Sequence, residues 1–184
     1  MNDRVLHPLF DSQALVPARA RFLSMTRIDT PVAVALCRKW HSRLPNTQAG
    51  PWQYAFGAHF DGTLFAVALW NNPSTRSLPS HWAELRRLAR SPDAPRYTCS
   101  RFLAWMVRYL RKNAPHHERC ISYQDPVVHK GTIYKAAGWT VGHEGGDRVR
   151  DRSKPRKGTD RAYRSNMNGV EVDAVGKVRW EIAL

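Results

Sequence analysis

Ile121 to Trp139 reads ISYQDPVVHKGTIYKAAGW, and the reading of this stretch decides the fold. Arg119 to Tyr123 is a short apolar-patterned run, which predicts a buried strand. Ser122-Tyr123-Gln124-Asp125 then carries polar groups to the end of that strand, and Pro126 opens a loop. Gly131 to Ala137 predicts a short helix, closed by Gly138 in the position just past a helix end. Trp139 to Gly142 begins the next strand. A strand, a loop, a helix and a strand in this order belong to an α/β sheet, in which ligands sit in the crevice beyond the carboxyl ends of the strands.

Upstream, Ser100 is placed to cap a helix running to about Lys112. Phe102, Leu103, Trp105, Met106, Tyr109 and Leu110 recur on it at helical spacing, and that stripe reads as core. Arg90 to Thr98 is a loop with two prolines, and His81 to Ala89 reads as a strand. Trp52 to Phe60 and Thr63 to Trp70 are strand-like runs around Asp61-Gly62, the strongest short hairpin signal. Asn71 to Ser80 and Ser42 to Pro51 are polar connections. Val32 to Trp40 reads as a helix ending near His41, with Thr30 as its cap and Pro31 in the first turn. Ala20 to Ile28 is expected to be the first strand, preceded by an arm over 1–19. Downstream, Val170 to Leu184 returns to strand character, with Lys177 to Trp180 expected at the edge of the sheet. The order β-α-β-β-β-α-β-α-β describes one α/β domain over 1–184, built on a central mixed sheet flanked by helices.

Length and charge fit this picture and add to it. A chain of 184 residues suits one domain with its own core. Lys and Arg number 29 against 15 Asp and Glu, a net charge of +14. Such a field draws polyanions, nucleic acid first. From about 144 to 168 the composition turns basic. Between Arg148 and Arg164, the eight basic residues Arg148, Arg150, Arg152, Lys154, Arg156, Lys157, Arg161 and Arg164 are opposed only by Asp151 and Asp160. This insertion is the expected contact with the phosphates of double-stranded DNA, through counterion release. Cys37, Cys99 and Cys120 form no CxxC pair, so a zinc ribbon or a dithiol redox motif is unsupported, and reduced thiols are expected. Asp3, Arg4, His7 and Asp11 interrupt any signal-peptide core, and no uncharged run is long enough to span a bilayer, so a cytoplasmic protein with no membrane partner is expected.

Several residues are suited to chemistry, and each also has an ordinary structural explanation. Asp125 can act as general base, metal ligand or anchor for an exocyclic amine, and equally can form the turn before Pro126. Tyr134 can protonate a leaving group or stack on a base, or simply pack. His129 can carry a proton or bind a metal, or be solvated. His41 can be functional or can gain only from the end of its helix. The helix start near Thr98, Ser100 and Arg101, with Arg96 beside it, presents free backbone N–H groups and a positive dipole end to an anionic cofactor, as any capped helix does. Tyr123, Tyr134 and Trp139 are candidates for stacking on a base.

Taken together these pieces resemble a known family. Tyr134 to Gly142, YKAAGWTVG, looks like the final helix and strand of the GNAT acyltransferase superfamily. ELRRL at Glu84 to Leu88, SRFL at Ser100 to Leu103, then SYQDP and HKGTIY, resemble the phage Mu Mom family. The resemblance runs from about Trp40 to Gly142. It implies a GNAT-like protein with a strongly twisted sheet that converts adenine in DNA to an N6-carbamoylmethyl form and so protects phage DNA from host restriction. The family's essential histidine falls on His41, its aspartate on Asp125 and its tyrosine on Tyr134. It implies acetyl-CoA or another acyl donor as cofactor, and an iron requirement for which His41, Asp125 and His129 would supply ligands. Two departures stand out: Ser42 takes the place of an aromatic residue after the histidine, and the segment Arg90 to Ser100 has none of the glycines of the usual pyrophosphate loop. Two other functions fit the same residues: a GNAT N-acetyltransferase of a protein, RNA or small amine, and a DNA-binding module without chemistry.

Overall fold

The computed structural model describes residues 15–41, 47–146 and 176–184. Its elements are β1 (Ser24–Arg27), α1 (Thr30–Trp40), β2 (Tyr54–Phe60), β3 (Thr63–Asn71), β4 (Trp82–Arg90), α2 (Thr98–Asn113), β5 (Arg119–Gln124), α3 (Thr132–Ala136), β6 (Thr140–Glu144) and β7 (Val178–Ala183). The strands form one mixed, twisted sheet in the order β1-β2-β3-β4-β5-β7-β6. Only β4 and β5 run parallel, while every other neighbouring pair is antiparallel.

The sheet is covered on both faces. On one face, Ala33, Val34 and Cys37 of α1 pack on Ala55, Val67, Leu69 and Ala89. On the other, Phe102, Leu103, Met106 and Leu110 of α2 pack on Phe56, Ala66, Ala68 and Trp70, and Tyr134, Trp139 and Trp180 extend the same core. The α2 stripe is therefore core: each fully buried side chain of this kind contributes about 1.5–3 kcal/mol relative to exposure. Trp105 and Tyr109 finish it by meeting the ring of Phe56 edge-on at 5.6 and 5.0 Å. The β2–β3 hairpin turns at Asp61 and Gly62, both at positive φ (46° and 73°), the pattern its short turn requires.

Four local expectations are corrected. The expected strand from Ala20 opens instead as a 3-10 turn over Ala20–Phe22, because the N–H groups of Phe22 and Leu23 bond back to the carbonyls of Arg19 and Ala20. Asp29, not Thr30, precedes the first turn of α1, and its carbonyl accepts the N–H of Ala33. Helix α2 begins at Thr98, and Ser100 does not cap it; the preceding residue is Tyr97 at φ 67°. Strand β7 is not at the edge. It lies between β5 and β6, where Glu181 is buried and takes two charge-assisted bonds at 2.7 Å, from Arg119 and Arg179. The edge strand on this side of the sheet is β6, exposed along its length.

Candidate active site at the fork between two strands

The parallel pairing of β4 and β5 is short. It runs from Trp82 opposite Arg119 to Leu85 opposite Ser122 and then stops, although β4 continues to Arg90 and β5 to Gln124. A bulge accounts for the divergence. On β3, Leu69 faces Arg87 and Trp70 faces Leu85, so Arg86 is an extra residue that bends β4. Beyond the fork, among the described residues, β4 has no strand partner on this side.

Tyr134 is fixed at the fork. Its hydroxyl lies 2.9 Å from Ser122 Oγ, and Ser122 Oγ itself donates to the carbonyl of Leu85 at 3.1 Å. A serine hydroxyl has one proton, already given to Leu85, so the tyrosine hydroxyl is the donor to Ser122. The phenol ring stacks on Trp180 (5.4 Å, 10°) and meets Trp139 edge-on (5.7 Å). Burial raises the phenol's pKa above its ordinary value, so the group holds its proton at neutral pH. Tyr134 and Trp139 are 7% and 3% exposed, which leaves neither ring face open for a nucleobase. Among the residues expected to stack, Tyr123, half-buried on β5, is the one with surface to offer. The indole Nε1 of Trp139 is buried with no hydrogen-bond partner among the described residues.

The loop after β5 is tied to this cluster. Gln124 accepts from Trp180 Nε1 at 2.6 Å and donates its amide to the carbonyl of His129. Gly131, at φ 71°, lets the chain pass close over both: a Cβ there would lie 2.5 Å from Trp180 and 2.6 Å from Gln124. Asp125 acts as turn-former. Its carboxylate accepts the N–H of Val127 at 3.1 Å and its carbonyl accepts those of Val128 and His129.

On the opposite face, His41 follows the last turn of α1, its N–H bonded to the carbonyl of Cys37 at 2.9 Å. Burial, then the guanidinium of Arg87, then His129, lower its pKa from the usual 6.5 to about 4. The imidazole is therefore neutral near pH 7, able to accept a proton or a hydrogen bond. His41 and His129 are brought into each other's electrostatic range, whereas Tyr134 stands in the core of the other face. Among the described residues no group of three His, Cys, Asp or Glu is arranged to hold a metal ion. The expected iron ligands His41, Asp125 and His129 thus do not form a set that fits the metal, and no step is assigned to iron.

A cavity of about 750 Å³ opens at the start of α2, reaching Ala136 of α3. Arg19, Arg21, Arg96, Arg101 and Arg108 line it, with Ser100 and Tyr97. Ser100 and Arg101 thus face the space expected for an anionic cofactor. Thr98 does not: it is buried, and its hydroxyl donates to the carbonyl of Pro95 at 2.7 Å. Tyr97 is 71% exposed, with the guanidinium of Arg96 5.3 Å from its ring centre. Its positive φ stands where a glycine would ordinarily serve. The basic residues Arg148, Arg150, Arg152, Lys154, Arg156 and Lys157 lie outside the described residues. Among the described residues no helix is long and apolar enough to cross a membrane. Ser122, Gln124, Arg87 and Trp180 were not singled out in the sequence. The weak signals for them were Ser122 and Gln124 within the strand-end run and Trp180 within the last apolar segment.

Comparison with solved structures defines the class. An acetyltransferase from Bacillus subtilis in complex with CoA matches at TM-score 0.59 and 10% identity, over 88% of this chain and 99% of that one. An IAA acetyltransferase from Bacillus cereus matches at TM-score 0.58 and 13% identity, over 88% and 99%. A ribosomal-protein-alanine N-acetyltransferase from Brucella melitensis matches at TM-score 0.58 and 10% identity, over 88% and 100%. The fold is that of the GNAT acyltransferases. Within that class the particular family is set by sequence: the chain belongs to the Mom protein family, which it matches over residues 22–177. No curated protein matches significantly. Family and fold together support a GNAT-like transferase.

Proposed function

We propose that the chain modifies the N6 amine of adenine in DNA, by the Mom-like carbamoylmethylation or by a related acyl-type transfer, and so shields DNA from restriction. The observation that supports the transfer chemistry is a protonated phenol held at the fork by Ser122, with a neutral imidazole on the other face of the sheet in electrostatic range of Arg87 and His129. The DNA target is supported by membership of the Mom family and by the net charge of +14.

Each residue then has a task. Arg96 and Arg101, with Ser100, suit the diphosphate of an acyl-CoA-type donor; in the acyl-type modification its bound thioester would supply an activated carbonyl, to which the amine forms a C–N bond as the C–S bond breaks and the thiolate leaves. Tyr134 turns its O–H from Ser122 toward the leaving group and protonates it. His41 accepts the proton released by the adenine amine. Asp125 accepts a hydrogen bond from that amine. Tyr123 stacks on the extruded base, worth about 1–3 kcal/mol. The basic segment Arg148 to Lys157 neutralises backbone phosphates.

The structural neighbours are acetyltransferases of small molecules and proteins, which favours a second reading, N-acetylation of a protein, RNA or small amine. Restriction sensitivity separates the two. Total DNA from a bacterial host expressing the full chain is challenged with endonucleases whose sites contain adenine. The proposal expects protection by the wild type that Asp125→Ala and Tyr134→Phe lose. Full cleavage of DNA from cells holding folded wild type, together with acyl-CoA turnover on an amine, establishes the second reading instead.

A further inference from the structure

The loop between β5 and α3 exposes two adjacent valines. Val127 and Val128 are 52% and 40% exposed, and neither belongs to a core cluster. An isolated exposed valine needs no explanation, but this pair sits at the mouth of the fork on a turn that is held from several sides. The carboxylate of Asp125 fixes the N–H of Val127, the carbonyl of Asp125 fixes those of Val128 and His129, and Gln124 holds the carbonyl of His129. Through Gln124 the turn is joined to Trp180, and through the Trp180 ring to Tyr134. Exposed His129 and Lys130 follow directly. The tip is thus rigid and apolar, bordered by groups that can meet phosphate. Valine adds stiffness of its own, since β-branching restricts its side-chain rotamers.

We propose that Val127 and Val128 form the wedge that enters duplex DNA and takes the place of the extruded adenine in the base stack. The inference rests on the adenine reading above. The N6 amine is engaged in pairing within a duplex, so an enzyme acting on it must bring the base out and then hold the gap open. Proteins that unstack DNA do so by inserting apolar side chains between base steps, alongside cationic and polar ones. Here the apolar tip lies beside the residues proposed to receive the base, so one loop both parts the stack and presents Asp125 to the amine. The charge of the whole chain, +14, favours a duplex over an apolar protein partner at this surface.

The test uses the full chain and a duplex oligonucleotide carrying 2-aminopurine, which brightens when unstacked, in place of adenine. Val127→Ser with Val128→Ser is compared with wild type, and with Val127→Leu and Val128→Leu, which keep apolar bulk. The expected result is a rise in fluorescence with wild type and with the leucine variant, and a rise about tenfold smaller with the serine variant, while duplex affinity stays within about twofold. The serine variant is also expected to recover its adduct yield on unpaired adenine, which a merely misfolded protein would not do. An equal rise from the serine variant overturns the wedge and leaves the adenine reading standing. So does an adenine adduct formed by wild type with no rise at all. No rise and no adduct from folded wild type removes both.

Discussion

Replacing Gly131 by alanine tests the packing that holds the site together. The residue lies at φ 71°, where an L side chain is strained by about 1–2 kcal/mol. The added methyl would also meet Trp180 at 2.5 Å and Gln124 at 2.6 Å, both closer than real contacts allow. Neither neighbour can swing aside freely. The Trp180 ring is stacked on Tyr134 and its indole N–H is bonded to Gln124, whose amide holds the loop carbonyl of His129. Overpacking of this kind costs about 1–3 kcal/mol, so the total is about 2–5 kcal/mol. For a domain of this length that lowers Tm by roughly 4–20 °C. Gly138→Ala supplies the internal control. Gly138 has φ 79° but nothing within 4 Å of the added carbon, so it carries the backbone strain alone, a loss of about 2–8 °C. Thermal unfolding followed by circular dichroism measures both. If the two variants melt at the same temperature, the described contact of Gly131 with Trp180 and Gln124 is refuted.

Two further substitutions address the candidate groups themselves. His41 has a folded pKa of about 4 against 6.5 unfolded, so as pH falls the unfolded chain takes the proton first. Its contribution to stability is present above pH 6.5 and is lost between 6.5 and 4, at most about 3 kcal/mol. His117 is shifted down in the same direction by burial, so His41→Asn should flatten the acid limb of the stability profile only in part; an unchanged limb contradicts the assignment. Tyr134→Phe removes the hydroxyl bonded to Ser122 yet leaves Ser122 its bond to Leu85, so the fold should lose only about 1 kcal/mol. Adduct formation should fall by roughly 10²–10⁴ if the phenol is the acid, and a near-normal rate would remove that role.

Local rules carried much of the fold. The hairpin followed from Asp61-Gly62, helix α2 from its apolar spacing, and the turn at Asp125 from an acidic residue before proline. What escaped depended on contacts distant in sequence. Strand β7 reads as an edge by its charges, but Glu181 is buried because Arg119 and Arg179 neutralise it, and that lets the strand enter the sheet. The 3-10 turn at Ala20–Phe22 hid within a run whose composition suits a strand. Tyr97 at positive φ is a conformation that residue type does not announce. For the candidate site, the sequence offers residues suited to chemistry but not their arrangement. Tyr134 stood out by its place after Gly131, but its partners Ser122 and Trp180 are fixed by strand pairing. Arg87 reaches His41 because β4 runs beneath α1, and no spacing in the sequence encodes that meeting.

The central claim is that this chain alters adenine in DNA, and nucleoside mass spectrometry tests it most directly. DNA from cells expressing the full-length protein is digested to nucleosides and compared with DNA from cells expressing Asp125→Ala. A new adenine nucleoside, of the mass of deoxyadenosine plus the transferred group, is expected in the first sample and not in the second. An unmodified adenine pool in the presence of abundant, folded wild-type protein would contradict it.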